Sequence, residues 1–392
     1  METEAALAVR IVLAIGLGWL LTFTFGRRLL RLDLRGAGVV GGVCAGIALG
    51  PMVLGKLAPD FYESVFVGGV EMRQSLETLR TASAENIRAL RESGVTDVAV
   101  QEMEAAQQHS LATREQQLES LLAWHRDVPL AVASAIGLVA LMLGAMRARG
   151  VSLDGIRIGA VTALIVGLAW AVLARKLIGT DLRTSAAMGG VLAAGTVWTR
   201  GKWRTGFGLT GVIIAGVLLC VGDALGAAWR ALTAIGLGVL LGRIVAFGPK
   251  GQRRAAWIAH GLIVPAVASL MVSSCDLSHA PTDGLLFVML AGVLGADAHF
   301  IAAYLALGWL GRGWRRSRPM TAWHSAYAQG WGGTQIILAN LVLAFGLLES
   351  QPEVAGVIGL AAAAMAMTGE ITRPATHKSL ILMRRQGATS HL

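Results

Sequence analysis

The chain has 392 residues, of which 55% are apolar and only 15% are charged, and its mean hydropathy is +0.62. In ordinary soluble proteins about 25% of residues are charged, so this composition excludes a soluble enzyme of this size and also excludes disorder. The net charge of +10 would suggest a nucleic-acid partner in a soluble protein, but here the basic residues lie mostly in short loops between apolar runs. The sequence therefore predicts an all-α integral membrane protein whose partner is the lipid bilayer and not nucleic acid.

The apolar runs are the first predicted elements, and a helix needs about 20 residues to cross a bilayer. They lie at residues 5–25, 37–57, 128–146, 156–174, 184–199, 207–225, 231–248, 256–275, 284–310, 323–347 and 354–371. Two of these runs, 184–199 and 231–248, are short, and the run at 284–310 is long enough to be tilted or broken. We predict a polytopic helix bundle of about 11 spans.

The positions of Lys and Arg predict the orientation of the bundle. The first run is followed by Arg27, Arg28 and Arg31, and the loops on that same side hold most of the Lys and Arg of the short loops. Basic loops face the cytoplasm. We predict a multi-pass protein of the cell inner membrane with its N-terminus outside and its C-terminus in the cytoplasm. The acidic start, with Glu2 and Glu4, is unlike the basic start of a signal peptide, so the first run is expected to remain in the mature protein.

Residues 58–127 differ from the rest of the chain, because they contain no run long enough to span a membrane. They hold 12 of the 24 acidic residues and only 6 of the 34 basic ones. Gly94 suits the end of a helix, and Thr96 or Asp97 suits the start of the next one. We predict an antiparallel coiled-coil hairpin with about 30 residues per arm, lying outside the membrane and available to an extracytoplasmic partner. The predicted division is 1–57 for the first two spans, 58–127 for the hairpin insertion and 128–392 for a membrane domain that resembles a transport domain.

A motif in the second apolar run points to a family. Residues 38–55 read GVVGGVCAGIALGPMVLG, and Pro59 follows shortly afterwards. This segment resembles the second helix of the monovalent cation:proton antiporter superfamily, which reads approximately GEilaGillGPsvLG…P. One departure is that Gly42 stands where the family has an acidic residue.

Looser matches cover most of the remaining membrane part. Residues 136–145 resemble the third helix of that family, although the Glu that follows Gly144 in the family is absent. Residues 192–197 resemble a conserved Thr-containing helix, and Asp223 falls where the next helix carries the family's ion-binding Asp, here preceded by Gly222 instead of Asn, Asp or Gln. The resemblance implies an inverted-repeat fold, exchange of Na⁺ or K⁺ for protons, and a homodimer.

Asp223 is the main candidate for the ion-binding residue. An ionisable residue within a span is costly, so each one is a candidate functional group. A carboxylate there binds either a cation or a proton, because desolvation raises its affinity for the proton. The alternative is an interfacial Asp that caps the next helix.

Two further ionisable residues lie inside the run at 284–310. His299 falls where the family commonly has Lys or Arg, so it is a candidate titratable counter-charge, and Asp297 lies two residues before it. The two side chains face different sides of one helix unless the helix is broken at Gly295, as transporter helices often are. The alternative is a polar pair that hydrogen-bonds between helices. Thr196 is a candidate oxygen ligand at a helix break, or else a hydroxyl bonded within its own helix.

Other kinds of site have no support in the sequence. The three cysteines show no CxxC spacing, and no nucleotide-binding, metalloprotease or serine-hydrolase motif is present. We therefore expect no catalytic residues, no metal and no cofactor. The preferred prediction is a secondary transporter that exchanges a monovalent cation for protons. The alternative is a non-transporting antiporter-like scaffold or sensor whose hairpin binds a partner.

Overall fold

The structure is a computed structural model that describes residues 2–93, 97–146, 148, 151–195, 202–222, 224–244, 248–275, 282–310, 332–345 and 352–389. Its described part contains helices and no strands, which confirms the all-α class. In chain order the helices are α1 (Glu2–Leu21), α2 (Leu34–Leu49), α3 (Leu54–Leu57), α4 (Pro59–Tyr62), α5 (Val70–Glu92), α6 (Asp97–Ala145), α7 (Leu153–Leu177), α8 (Leu182–Ala193), α9 (Lys202–Val221), α10 (Leu225–Ile244), α11 (Pro249–Trp257), α12 (Val264–Ser273), α13 (Thr282–Leu310), α14 (Gly333–Ala344) and α15 (Pro352–Thr389). Three π-helical stretches follow α1, α4 and α11, at Thr22–Leu29, Glu63–Val67 and Ile258–Ile263.

The chain divides into two compact units. The hairpin unit consists of Met1–Val12 and Leu54–Pro129, and the membrane unit consists of Leu13–Val53 and Leu130–Leu392. The hairpin unit is thus larger than the predicted segment 58–127, because it also includes the first residues of α1.

The hairpin is built from α5 and the first part of α6. Arg80 pairs with Glu115 and Arg91 pairs with Glu104. Residues later in the first arm therefore contact residues earlier in the second, so the two arms are antiparallel. The helix α5 ends at Glu92 and α6 begins at Asp97, on either side of the predicted break. The first arm has 23 residues, which is shorter than the predicted 30, because α3, α4 and a π-helical turn occupy residues 54–67.

A buried arginine joins α1 to the hairpin. Pro129 lies inside α6 and has no N–H, so the carbonyl group of His125, four residues earlier, lacks its normal helical donor. Arg10 Nη1 donates to this carbonyl oxygen at 2.5 Å and to the carbonyl oxygen of Phe66 at 3.0 Å. The Arg10 side chain therefore explains why the first residues of α1 belong to the hairpin unit.

The outward face of α7 shows the lipid-facing pattern of a membrane helix. Leu164, Leu168 and Val172 lie four residues apart and are 44%, 51% and 60% exposed. The opposite face is buried against α8, α9 and α13. A helix of a soluble protein would carry polar residues on its exposed face.

Close helix contacts account for much of the high glycine content in the membrane unit. The helix α2 packs on α12, and a Cβ atom at Gly42 would lie only 2.5 Å from the carbonyl oxygen of Pro265 and 2.7 Å from the Cβ of Ala268. A Cβ at Gly159 of α7 would lie 2.5 Å from the carbonyl oxygen of Phe207 in α9. In lipid, where helices gain little from hydrophobic burial, small residues allow this close approach.

Seven helices in the described part of the chain are long and apolar enough to cross a membrane, and α13 makes an eighth if its two bent halves form one span. The remaining three of the eleven predicted spans correspond to α8, to the apolar part of α9 at Thr205–Val221 and to α14, which have 12, 17 and 12 residues. The membrane class is therefore supported by the apolar helices, while the number of spans and the inverted repeat stay predictions.

Candidate functional site

Three helices meet in the membrane unit that are bent, or begin or end, inside it, and we call them interrupted helices. The helix α8 ends at Ala193, and its buried backbone continues in a non-helical conformation at Ala194. The helix α14 begins at Gly333 after an extended Gly332, and α13 bends by 54° between Gly295 and Asp297. Helix ends carry unpaired backbone groups, with N–H groups at a start and carbonyl groups at an end. These interruptions therefore bring polar backbone groups into the interior of an apolar bundle.

Gln335 connects α14 to the end of α8. Its Nε2 donates to the carbonyl oxygens of Leu192 at 3.2 Å and Ala194 at 3.4 Å. The side chain is 1% exposed. Two of the carbonyl groups at the end of α8 are therefore satisfied by a side chain that lies more than 140 residues away in sequence.

His299 reaches the same end of α8 from the second half of α13. Its side chain is fully buried, its Nδ1 lies 2.9 Å from the carbonyl oxygen of Gly295, and its ring lies beside the backbone of Ala193. The bend at residue 296 and the packing of Met365 against Gly295 hold this part of α13 in place. The predicted histidine is thus at the meeting point of the interrupted helices.

Of the other predicted site residues, only Asp297 lies in the part of the chain that the structure describes. Asp297 is exposed, whereas His299 is buried, so the two side chains do face different surroundings. Thr196 and Asp223 lie outside the described residues. The residue before Asp223, Gly222, lies against Arg183 and Ala187, near the beginning of α8 rather than at its end.

Two buried oxygen atoms near the helix ends have no hydrogen-bond partner within the described part of the chain. They are Thr334 Oγ1 and Gln335 Oε1. An unpaired buried polar group costs about 1–3 kcal/mol, so a cation or a polar ligand that binds these oxygens would recover that cost. Oxygen ligands suit alkali cations, and the imidazole of His299 can carry a proton. Among the described residues, no three His, Cys, Asp or Glu side chains form a metal-binding group.

Gly42 and Gly222, two positions at which the sequence differs from the antiporter motif that it resembles, are closely packed. Gly42 is in close contact with Pro265 and Ala268, and a Cβ atom at Gly222 would lie 2.7 Å from the carbonyl oxygen of Arg183. An acidic or amide side chain therefore does not fit at either position without moving a backbone. Close packing between helices leaves no room for a polar side chain at either position.

Sequence reasoning missed several polar residues of the interior. Gln335 and Thr334 follow the glycine pair Gly332-Gly333, and Asn340 lies in the middle of the same apolar run. Asn340 Nδ2 donates to the carbonyl oxygen of Leu130 at 3.0 Å and to Ser134 Oγ at 2.8 Å. The available signal was the presence of amide side chains inside an apolar run, which is costly in lipid unless they are paired.

Comparison with known proteins adds no family to this description, since neither a family model nor a curated protein matches the chain.

Proposed function

We propose that the protein is a secondary transporter that exchanges a monovalent cation, Na⁺ or K⁺, for protons across the cell inner membrane. The observation that carries the proposal is the meeting of α8, α13 and α14, where interrupted helices surround a buried histidine and unpaired oxygen atoms. In secondary transporters, substrate sites lie where discontinuous helices meet near the middle of the bilayer. The resemblance of residues 38–55 to the antiporter motif supports the same class.

In this mechanism Asp223 and His299 are the titrating groups. A cation and a proton compete for the carboxylate of Asp223, while the buried imidazole of His299 is a second group that can bind a proton during exchange. Thr196 and Gln335 offer oxygen ligands, and Asp297 is a further carboxylate on the exposed side of α13. We also propose the homodimer that the resemblance implies.

Proton flux in vesicles containing the purified protein tests the proposal. Addition of Na⁺ or K⁺ should drive proton movement with the wild-type protein, and Asp223→Asn should abolish it while expression remains normal. Asp154→Asn is the matched control, because Asp154 is an exposed carboxylate in the first turn of α7. Gln335→Leu should also reduce exchange, because it removes the unpaired oxygen at the end of α8. Equal exchange by wild type and Asp223→Asn would remove that residue from the mechanism.

A second function, that of a non-transporting scaffold, is favoured by one observation. Gly42 and Gly222 stand in close backbone contacts at positions where the family has polar side chains. In this alternative the membrane unit holds the hairpin unit at the membrane, and the hairpin binds a partner. Absence of wild-type exchange with every monovalent cation would support the scaffold over the transporter.

A further inference from the structure

The hairpin unit contains a cavity of about 310 Å³. Its walls include Ala6 of α1, Ser64 of the π-helical turn, residues 68–72 at the start of α5, and Leu121 and His125 of α6. Most of these residues are apolar or glycine. The polar side chains are Ser64, Glu71 and His125, so the cavity suits a ligand that has one polar group and an apolar part.

The first turn of α5 lies in the wall of this cavity. The first N–H groups of a helix have no acceptor within the helix, and Gly69, at the N-cap position, provides no side chain to accept from them. Gly68 and Gly69 have φ angles of 77° and 71°, which other residues rarely adopt. A helix start of this kind favours a negatively charged group.

His125 gives a second, independent indication of a ligand. The residue is 1% exposed, and neither of its ring nitrogens has a hydrogen-bond partner in the part of the chain that the structure describes. A Cβ atom at Gly68 would lie 2.5 Å from His125 Cδ2, so the start of α5 approaches the imidazole ring as closely as glycine allows. A buried imidazole is stabilised by a polar partner. The helix start and the histidine therefore point to the same ligand group.

The charges around the cavity favour a ligand with a single negative charge. Arg10 donates to the backbone of His125, and Arg73 Nη2 donates to the carbonyl oxygen of Gly68 at 2.8 Å. Neither guanidinium group lines the cavity, whose one charged wall residue among those that the structure describes is Glu71. The two nearby guanidinium groups favour an anion over a cation, and the carboxylate of Glu71 disfavours a doubly charged anion.

The position of the cavity along the chain favours a lipid as the source of that anion. His125 lies three residues before the apolar part of α6, and its neighbour Trp124 is 55% exposed, as is typical of a residue at the membrane surface. Ala6 lies at the start of the first apolar run. We propose that this cavity binds the phosphodiester headgroup of a monoanionic phospholipid, held by the start of α5 and by His125. This role is independent of ion exchange.

The test measures the melting temperature of the purified full-length protein in a neutral detergent. Short-chain phosphatidylglycerol is titrated against phosphatidylcholine of the same chain length and against inorganic phosphate. We expect phosphatidylglycerol to raise the melting temperature at concentrations where the other two have no effect. Two variants should increase its half-saturating concentration about tenfold: Leu121→Trp, which fills the cavity, and His125→Gln, which removes the imidazole. Glu71→Gln should lower that concentration.

Two matched controls lie farther along the same helix and do not line the cavity. They are Leu111→Trp and His109→Gln, and both should respond as the wild type does. An equal response to phosphatidylcholine or to inorganic phosphate would overturn the assignment to an anionic lipid. If His125→Gln has the same half-saturating phosphatidylglycerol concentration as the wild type, the lipid binds elsewhere. This variant alone tests the site if Leu121→Trp does not fold.

Discussion

At the scale of single residues, Arg10 shows how one side chain can replace a hydrogen bond that a distant proline cannot make. A charged side chain that is only 2% exposed is costly unless its hydrogen bonds are satisfied. Arg10 donates to two carbonyl oxygens, one left without a donor by Pro129 and one near the end of the π-helical turn, and its guanidinium group lies 5.4 Å from the ring centre of Phe66. The arginine and the proline thus compensate for each other.

We predict that Arg10→Met lowers the free energy of unfolding of the hairpin unit by about 2–5 kcal/mol, because it leaves two buried carbonyl groups unpaired. In a Pro129→Ala background the loss should be smaller by about 1–3 kcal/mol, because the alanine N–H can donate to the carbonyl oxygen of His125. Chemical or thermal unfolding of the four proteins in this double-mutant cycle measures the difference. Additive effects of the two substitutions would show that Arg10 does not compensate for the N–H group that Pro129 lacks.

At the scale of helices, the contact between α2 and α12 depends on glycine at one point. The α2 backbone passes so close to Pro265 and Ala268 that no side chain fits at position 42. An acidic side chain at this position is therefore incompatible with this packing.

We predict that Gly42→Ala lowers the stability of the membrane unit by about 1–3 kcal/mol, because the added methyl group forces α2 away from α12. Gly16→Ala is the matched control, since a Cβ atom there has no neighbour within 4 Å. It should raise stability by up to about 1 kcal/mol through its better helix propensity. The melting temperatures of both purified variants test the prediction. An unchanged melting temperature for Gly42→Ala would mean that α2 and α12 can move apart without loss of stability.

The start of α8 provides a prediction that depends on pH. Asp181 caps this helix by accepting from the backbone N–H of Thr184 at 2.9 Å. Hydrogen bonds from the Thr184 hydroxyl group and from this N–H lower the pKa of the Asp181 carboxyl group from the ordinary value of 3.8. A lowered pKa in the folded state means that the ionised cap stabilises the protein above the ordinary pKa and that this contribution is lost as the pH falls further.

We therefore expect the melting temperature of the wild-type protein to fall below about pH 4 more steeply than that of Asp181→Asn, whose side chain still caps the helix but does not titrate. Melting curves between pH 7 and pH 3 test this. Asp283→Asn is a control at another exposed helix start. An equal fall in melting temperature with pH for wild type and Asp181→Asn would show that ionisation of Asp181 does not contribute to stability.

At the scale of the whole molecule, the distribution of charge predicts the side on which the hairpin lies. The segment 58–127 is acidic overall, whereas most basic residues of the short loops fall on the opposite side of the predicted membrane. The reverse orientation would place those basic loops outside, against the positive-inside rule.

We predict that a cysteine at Ser93 reacts with an impermeant thiol reagent in intact cells. Ser93 is exposed at the end of α5, and the three native cysteines are replaced first because Cys44 and Cys220 are also exposed. A cysteine at Ser317, in a basic loop, should be protected until the cells are opened. Labelling at position 317 together with protection at position 93 would show that the orientation is the reverse of the predicted one.

The sequence by itself determined the features that depend on local composition. Hydropathy identified the apolar helices, because each helix in lipid must be apolar over its own length. The polar segment and the break near residue 94 identified the hairpin for the same local reason, although α3 and α4 shortened its first arm. His299 was singled out as a candidate from the sequence, because an ionisable residue inside an apolar run stands out without any knowledge of the fold, and its role stays a prediction.

The tertiary structure alone decided which interrupted helices meet. Gln335 bonds to the end of α8, and Arg10 bonds to a carbonyl group made available by Pro129, in each case across more than 100 residues of chain. The sequence also did not show that Gly42 and Gly222 stand in close contacts that exclude side chains. Hydropathy and helical periodicity describe one segment at a time, whereas these interactions depend on which backbone group of a distant helix lies within hydrogen-bonding or van der Waals distance.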